Sequence, residues 1–253
     1  GASVGVAIGF FFLFGLANRQ TYDGAMANAS FLLMGAGWAI AITLISFPLQ
    51  PSSPVKRSVA RVWKANTEFL EMISRQYAGD KLAVRDLHEK ELAVRAAINH
   101  SVDLFGRRSE VAAKESHYDA MIELRKTAAF FGAALSSLHE ELEALTHQNT
   151  ALLNHTELSK TLSALGQVSA RMAVVVYTFR PDDLTMVKVR LKRFEIALQI
   201  FEGMCQQLKL SGKEQTAMDH LMDTLHKAGE YLAQSCRQVE EKLGFSKRDY
   251  FEN

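Results

Sequence analysis

The sequence predicts an all-α protein, a transmembrane helical hairpin followed by a cytoplasmic antiparallel bundle of about six long helices. Three observations lead there. Residues 2–17 and 30–49 are two runs without a charged side chain. Beyond residue 54 apolar residues recur at alternating spacings of three and four, the seam of helices packed at shallow angles. No Val/Ile/Thr alternation long enough for a sheet is present.

The apolar half comes first. Arg19 and Asp23 are the only charged side chains in residues 1–50, although the whole chain of 253 residues carries 29 basic and 28 acidic ones. The run 30–49, "SFLLMGAGWAIAITLISFPL", spans about 30 Å as a helix, the thickness of a bilayer's hydrocarbon core. The run 2–17 is slightly shorter, and "NRQTYDGAMANA" between them is polar and turn-capable. A pair of buried core helices is the soluble alternative, but two adjacent helices without a polar face are unusual there. A secretory signal is another, because "AMA" at 25–27 resembles a cleavage site; no basic residue precedes the run, and a second run follows it. Residues 1–50 are therefore read as a membrane hairpin and 51–253 as a second domain. The first residue is Gly rather than Met, so the chain is expected to be an excerpt or a processed form.

Within the hairpin, Gly5 and Gly9 form a Gly-x-x-x-Gly pair, and Gly35 and Gly37 thin the second span. Small residues let membrane helices approach closely, so these glycines are expected to pack against other transmembrane segments of the same protein. Trp38 lies in mid-span rather than at an interface and is given a packing or pathway-lining role rather than belt anchoring.

Orientation follows from the flanks. Pro51 and Pro54 interrupt the chain, and Lys56, Arg57, Arg61 and Lys64 follow before the first acid, Glu68. Proline lacks the amide hydrogen a continuous helix needs but suits a first turn. The cations put this side, and with it the C-terminal region, in the cytoplasm, beside anionic lipid.

The charged half reads as helices near 54–77, 81–105, 110–146, 150–179, 182–209 and 213–243. Stripes run from Met121 to Leu145, from Leu184 to Leu208 and from Met218 to Leu243, and a further one, Val84–Leu87–Glu91–Val94–Ile98–Val102–Phe105, is interrupted by Glu91. Breaks fall near 78–80, 106–109, 148–149, 180–182 and 211–212, with Ser109, Asp182 and Ser211 as caps or first-turn residues and Pro181 as a helix start. Short links favour antiparallel neighbours. Glu91 is expected to pair with Arg95 or with a cation of a neighbouring helix, a functional acid being the alternative.

No chemistry stands out. His88–Glu91, His100–Asp103 and His220–Asp223 each share a helix face, but there is no His-Glu-x-x-His or Cys-x-x-Cys, so neither a metal nor a cofactor is expected. Phosphate-loop, nucleophile-elbow and dinucleotide patterns are absent, and no catalytic residue is assigned. A net charge of +1 with mixed faces gives no footprint for nucleic acid. Cys205 and Cys236 fall on apolar stripes and read as reduced core thiols.

The ordering resembles the FUSC family, the fusaric-acid-resistance and aromatic-acid-exporter group of bacterial inner-membrane proteins. The resemblance rests on Gly37, Trp38 and Ala39 in the second span, and on Pro48, Pro51, Pro54 and Val55 at the exit. It also rests on "LHEKELAVRAAINHSVDLF" at 87–105. It is a likeness of layout and loose motif and transfers no functional residue. It implies that the two spans close an N-terminal membrane block and that residues 51–253 form the cytoplasmic domain after it. It also implies efflux of small aromatic or amphipathic carboxylic acids, with the bundle in assembly or gating. A homo-oligomer is expected, and the competing expectation is a membrane-anchored scaffold without transport.

Overall fold

Periodic apolar residues on helix-favouring sequence give helices throughout the described part of the chain. The computed structural model describes residues 24, 34–35, 37–38, 53–78, 84–112, 118–148, 156–207 and 210–242. Among them there is no strand, and the helices are α1 (Ser53–Tyr77), α2 (Val84–Ala112), α3 (Tyr118–Gln148), α4 (Thr156–Thr178), α5 (Pro181–Cys205) and α6 (Gly212–Lys242). The chain divides into two compact units, Gly1–Pro51 and Ser52–Asn253.

In the first unit, Gly24, Met34, Gly35, Gly37 and Trp38 are helical. The remaining residues of the expected spans 2–17 and 30–49 lie outside the described residues. Among the described residues no helix is long and apolar enough to cross a membrane.

The second unit is a helical bundle, and pairs of side chains fix its directions. Phe105 faces Tyr118, whose Oη donates to the Phe105 carbonyl at 2.8 Å, while Glu91 accepts from Ser136, so α2 and α3 are antiparallel. Thr67 meets Ser169, and Lys56 meets Phe179, which sets α1 against α4. Arg190 donates to Gln167 and Thr178 to Asp183, setting α4 against α5. Lys188–Glu240 and Cys205–Met218 do the same for α5 and α6, as Thr127–Gln238 and Phe130–Tyr231 do for α3 and α6. Trp63 packs on Phe131 and Tyr77 on His139, so α1 and α3 run in the same direction. Every helix therefore reverses the one before it. By contact, α1, α4, α5, α6 and α3 form a closed ring of neighbours, and α2 lies outside it against α1 and α3.

The stripes read from the sequence form this core. Met121, Leu124, Ala128, Phe131, Leu135, Leu138, Leu142 and Leu145 of α3 are all buried, as are Leu184, Val187, Leu191, Phe194, Leu198, Phe201 and Cys205 of α5. On α6, Met218, Leu225, Leu232, Cys236 and Val239 are buried, with Leu221 and Ala228 beside them. Leu208 and Leu243 lie outside the described side chains.

The α2 seam differs from expectation. Leu87, Val94 and Phe105 are buried, but Val102 is 45% exposed while Ser101 is fully buried. A flanking helix touches its neighbours along one narrow line, here 87, 94, 101 and 105, and Ser101 Oγ satisfies itself on the Ile98 carbonyl at 2.8 Å. Glu91 is half-buried, its Oε1 accepting from Arg95 Nη2 at 2.6 Å, which accounts for an acid on an apolar stripe.

One break also moves. The turn expected at 106–109 is helical, α2 continuing to Ala112 and α3 starting at Tyr118, so Ser109 lies inside α2 rather than at the start of a helix. Gly106 faces open space, and a helical glycine costs only about 1 kcal/mol, which the surrounding good helix formers offset. Other boundaries follow their local chemistry. Pro181 is the first residue of α5, with Asp182 and Asp183 in the first turn. Ser211 and Glu214 form a capping box at the start of α6, the Ser211 N–H donating to Glu214 Oε2 at 2.8 Å.

Candidate functional site

Burying Val55, Val59, Val62, Trp63, Asn66, Phe69, Leu70 and Ile73 on one side of α1 puts Arg57, Arg61 and Lys64 on its outer side. Their spacings of four and three bring the three cations into one row about 10 Å long. The row borders a surface groove of about 650 Å³ between α1 and α4. Ala60 and Thr67 complete the α1 wall near its floor, Ala170, Ala173, Val174 and Tyr177 form the α4 wall, and Glu68 and Glu71 close the far end. Thr67 Oγ1 lies 2.8 Å from Ser169 Oγ and donates to the Trp63 carbonyl, a polar stitch that holds the two helices together at the groove's base.

The charge in the groove is polarised. Arg57 and Arg61 make no ion pair among the described residues, while Lys64 Nζ lies 3.8 Å from Glu68 Oε1. Glu68 is engaged more closely by Lys90 of α2 at 2.9 Å, and this hydrogen bond holds its carboxyl below the usual value of 4.5. Glu68 at the far end is thus partly neutralised by Lys64 and Lys90, and the positive charge without an ion pair among the described residues, Arg57 and Arg61, sits toward the start of α1.

The α4 wall is uncharged. Ser163, Gln167, Ala170, Val174 and Tyr177 occupy its exposed stripe, with Val174 and Tyr177 among the exposed large apolar side chains. Next in the ring, α5 carries a second exposed apolar stripe, Met186, Val189, Ile196 and Ile200, opposite its buried one. Exposed Arg193 interrupts this stripe between Val189 and Ile196, and α5 still shows large apolar side chains on two faces, where a helix at a water-facing edge normally has one.

At the upper edge of the groove, Lys56 Nζ sits 4.8 Å above the ring of Phe179. Phe179 has φ 51°, the left-handed region, directly before the extended Arg180 and Pro181. A bulky residue there carries backbone strain, which the partly buried ring and its contact with Lys56 sustain.

Of the residues singled out in the sequence, Arg57, Arg61 and Lys64 come together in the groove, and Lys56 turns toward Phe179. Pro54 occupies the first turn of α1. Gly35 and Gly37 face open space and Trp38 is exposed; Gly5, Gly9 and Pro51 lie outside the described residues. The α4 wall was not anticipated from sequence, although the absence of charge on 163, 167, 170, 174 and 177 is a signal that marks it.

Among the described residues no group of three His, Cys, Asp or Glu side chains is gathered as metal ligands. Both thiols are buried, and burial pushes Cys205 and Cys236 up to about 11. No family model and no curated protein matches the chain.

Proposed function

We propose that this chain is part of a FUSC-like bacterial inner-membrane efflux protein for small aromatic or amphipathic carboxylic acids. Residues 1–50 cross the bilayer as a hairpin, and residues 51–253 form a cytoplasmic bundle acting in assembly or gating rather than in catalysis. The observation that carries this reading is a single junction. A twenty-residue uncharged run ends at Leu49, and Lys56, Arg57, Arg61 and Lys64 follow on the first turns of α1. Such a step from hydrocarbon-compatible sequence to a cluster of cations is what the cytoplasmic exit of a membrane span requires. The glycines of the two runs support packing against further spans of the same protein.

The test is substrate-dependent. Deleting the full-length gene should sensitise cells to a panel of aromatic carboxylic acids and raise their retention inside the cell. Unchanged tolerance and retention across the panel contradict the transport reading.

A second reading, a membrane-anchored interaction module, is favoured by the exposed apolar stripe of α5. In it the stripe pairs with the same face of a second copy about a twofold axis. Ile196→Lys with Ile200→Lys should then reduce the oligomer in detergent, and the bundle should keep its role on an unrelated anchor.

A further inference from the structure

We infer that the groove between α1 and α4 seats the headgroup of an anionic phospholipid, locking the bundle to the membrane surface. The inference rests on the membrane reading of residues 30–49 and adds to it a defined lipid site and the helix opposite the cations.

Four features converge on a lipid. Arg57, Arg61 and Lys64 line one wall, and the two arginines have no ion-pair partner among the described residues. A phosphate with its negative charge spread over several oxygens suits a row of arginine forks and an ammonium. The opposite wall presents exposed Val174 and the amphipathic Tyr177, and an apolar surface beside cations is the pairing found at the headgroup–acyl boundary.

The remaining two features concern direction and reach. The cations occupy the end of the groove nearer the start of α1, and Glu68 and Glu71 the other end. A bilayer surface distinguishes those ends, drawing the cations in and leaving the acids outward. The uncharged run ends eight residues before Arg57, a stretch of at most about 28 Å even when extended, so the cations stay within reach of the lipid surface. A polynucleotide fits less well, because the two carboxylates lie on the path of any polyanion following the groove.

The experiment uses the full chain reconstituted into vesicles, with Val174→Cys carrying a polarity-sensitive fluorophore. Cys205 and Cys236 are buried and leave the introduced thiol as the accessible one. In vesicles of phosphatidylcholine with phosphatidylglycerol the emission should shift to the blue relative to phosphatidylcholine alone. The shift should be lost in Arg57→Gln/Arg61→Gln/Lys64→Gln and weakened at high salt, while Lys192→Gln, an exposed cation outside the groove, retains it.

Three results overturn the inference, and they are distinguishable. A chain that floats with both kinds of vesicle but whose label ignores the anionic lipid, or ignores the triple substitution, removes the lipid site and leaves the membrane reading. A chain that floats with neither removes the membrane reading, and the site with it. An equal shift produced by inorganic phosphate in phosphatidylcholine vesicles assigns the groove to a soluble anion instead. Helicity by circular dichroism, unchanged in the triple variant, ties the loss of the shift to charge rather than to unfolding.

Discussion

The ring of Phe194 on α5 fills the space that a side chain on Gly229 of α6 would need: a Cβ there would lie 2.8 Å from Phe194 Cε1. The missing side chain is what lets the two helices close over a fully buried aromatic. Gly229→Ala should therefore destabilise the bundle by about 1–3 kcal/mol through overpacking, and adding Phe194→Leu should recover part of that loss. Gly203 of α5 faces open space, so Gly203→Ala should instead stabilise by about 0.5–1 kcal/mol. Urea unfolding followed by circular dichroism separates the two. Equal effects at both positions would contradict the close approach at Gly229.

The corner at Phe179 lends itself to a paired comparison. Phe179→Ala and Phe179→Gly remove the same ring contacts with Lys56 and the core, but only glycine relaxes a φ of 51°. The glycine variant should be the more stable of the two by roughly 1 kcal/mol. Lys56→Met should cost about 0.5–1 kcal/mol in the native background and nothing once Phe179 is removed.

Acid should release α2 before the rest of the bundle. Among the described side chains, α2, outside the ring, buries fewer apolar ones than its neighbours, and Lys90–Glu68 ties it to α1 at 2.9 Å. Glu68 is held below 4.5 chiefly by the Lys90 hydrogen bond, so its contribution is present above that value and is lost as pH falls through the lowered one. Lys90 is raised above 10.5 by the same hydrogen bond, so its contribution is present below 10.5 and is lost only as pH rises past it. Hydrogen exchange should give α2 a lower opening free energy than α3 or α6 at pH 7. Lys90→Met at pH 7 should resemble, in α2, the native chain at a pH below the lowered Glu68 value. Uniform protection across the bundle would contradict this.

The two thiols should be inert in the folded chain. Burial is the leading cause that raises both Cys205 and Cys236 to about 11, and the thiolate is the reactive form. At pH 8 a thiol-disulfide reagent should modify them at the rate of unfolding, and urea should accelerate both together. Rapid modification of either without denaturant would place it outside the core.

What the sequence disclosed follows from range. The stripes of α3, α5 and α6 are local, set by spacings of three and four, and the structure buries the described positions on them with few exceptions, Met222 and Gly229 being half-buried. Gly106 misleads because a glycine punctuates a helix only when the turn needs its conformational freedom, and here it does not. Asn66 and Gly132 show the other limit. The Asn66 side chain is fully buried and donates to the Ala128 carbonyl at 2.8 Å, and a Cβ on Gly132 would lie 2.8 Å from its Oδ1. That approach joins residues more than sixty positions apart, which no periodicity announces. The groove has the same character: its cationic wall is visible as a charge step, but its α4 wall exists only because α4 packs antiparallel to α1.

The proposed topology places a membrane hairpin at 1–50 ahead of a cytoplasmic bundle at 51–253. Cysteine labelling in spheroplasts with a membrane-impermeant maleimide tests it most directly. Gln20→Cys, in the polar stretch between the two uncharged runs, should label in intact spheroplasts. Gln199→Cys, exposed on α5, should label only after permeabilisation. Labelling of Gln199→Cys in intact spheroplasts, or recovery of the chain in the soluble fraction, would contradict the account.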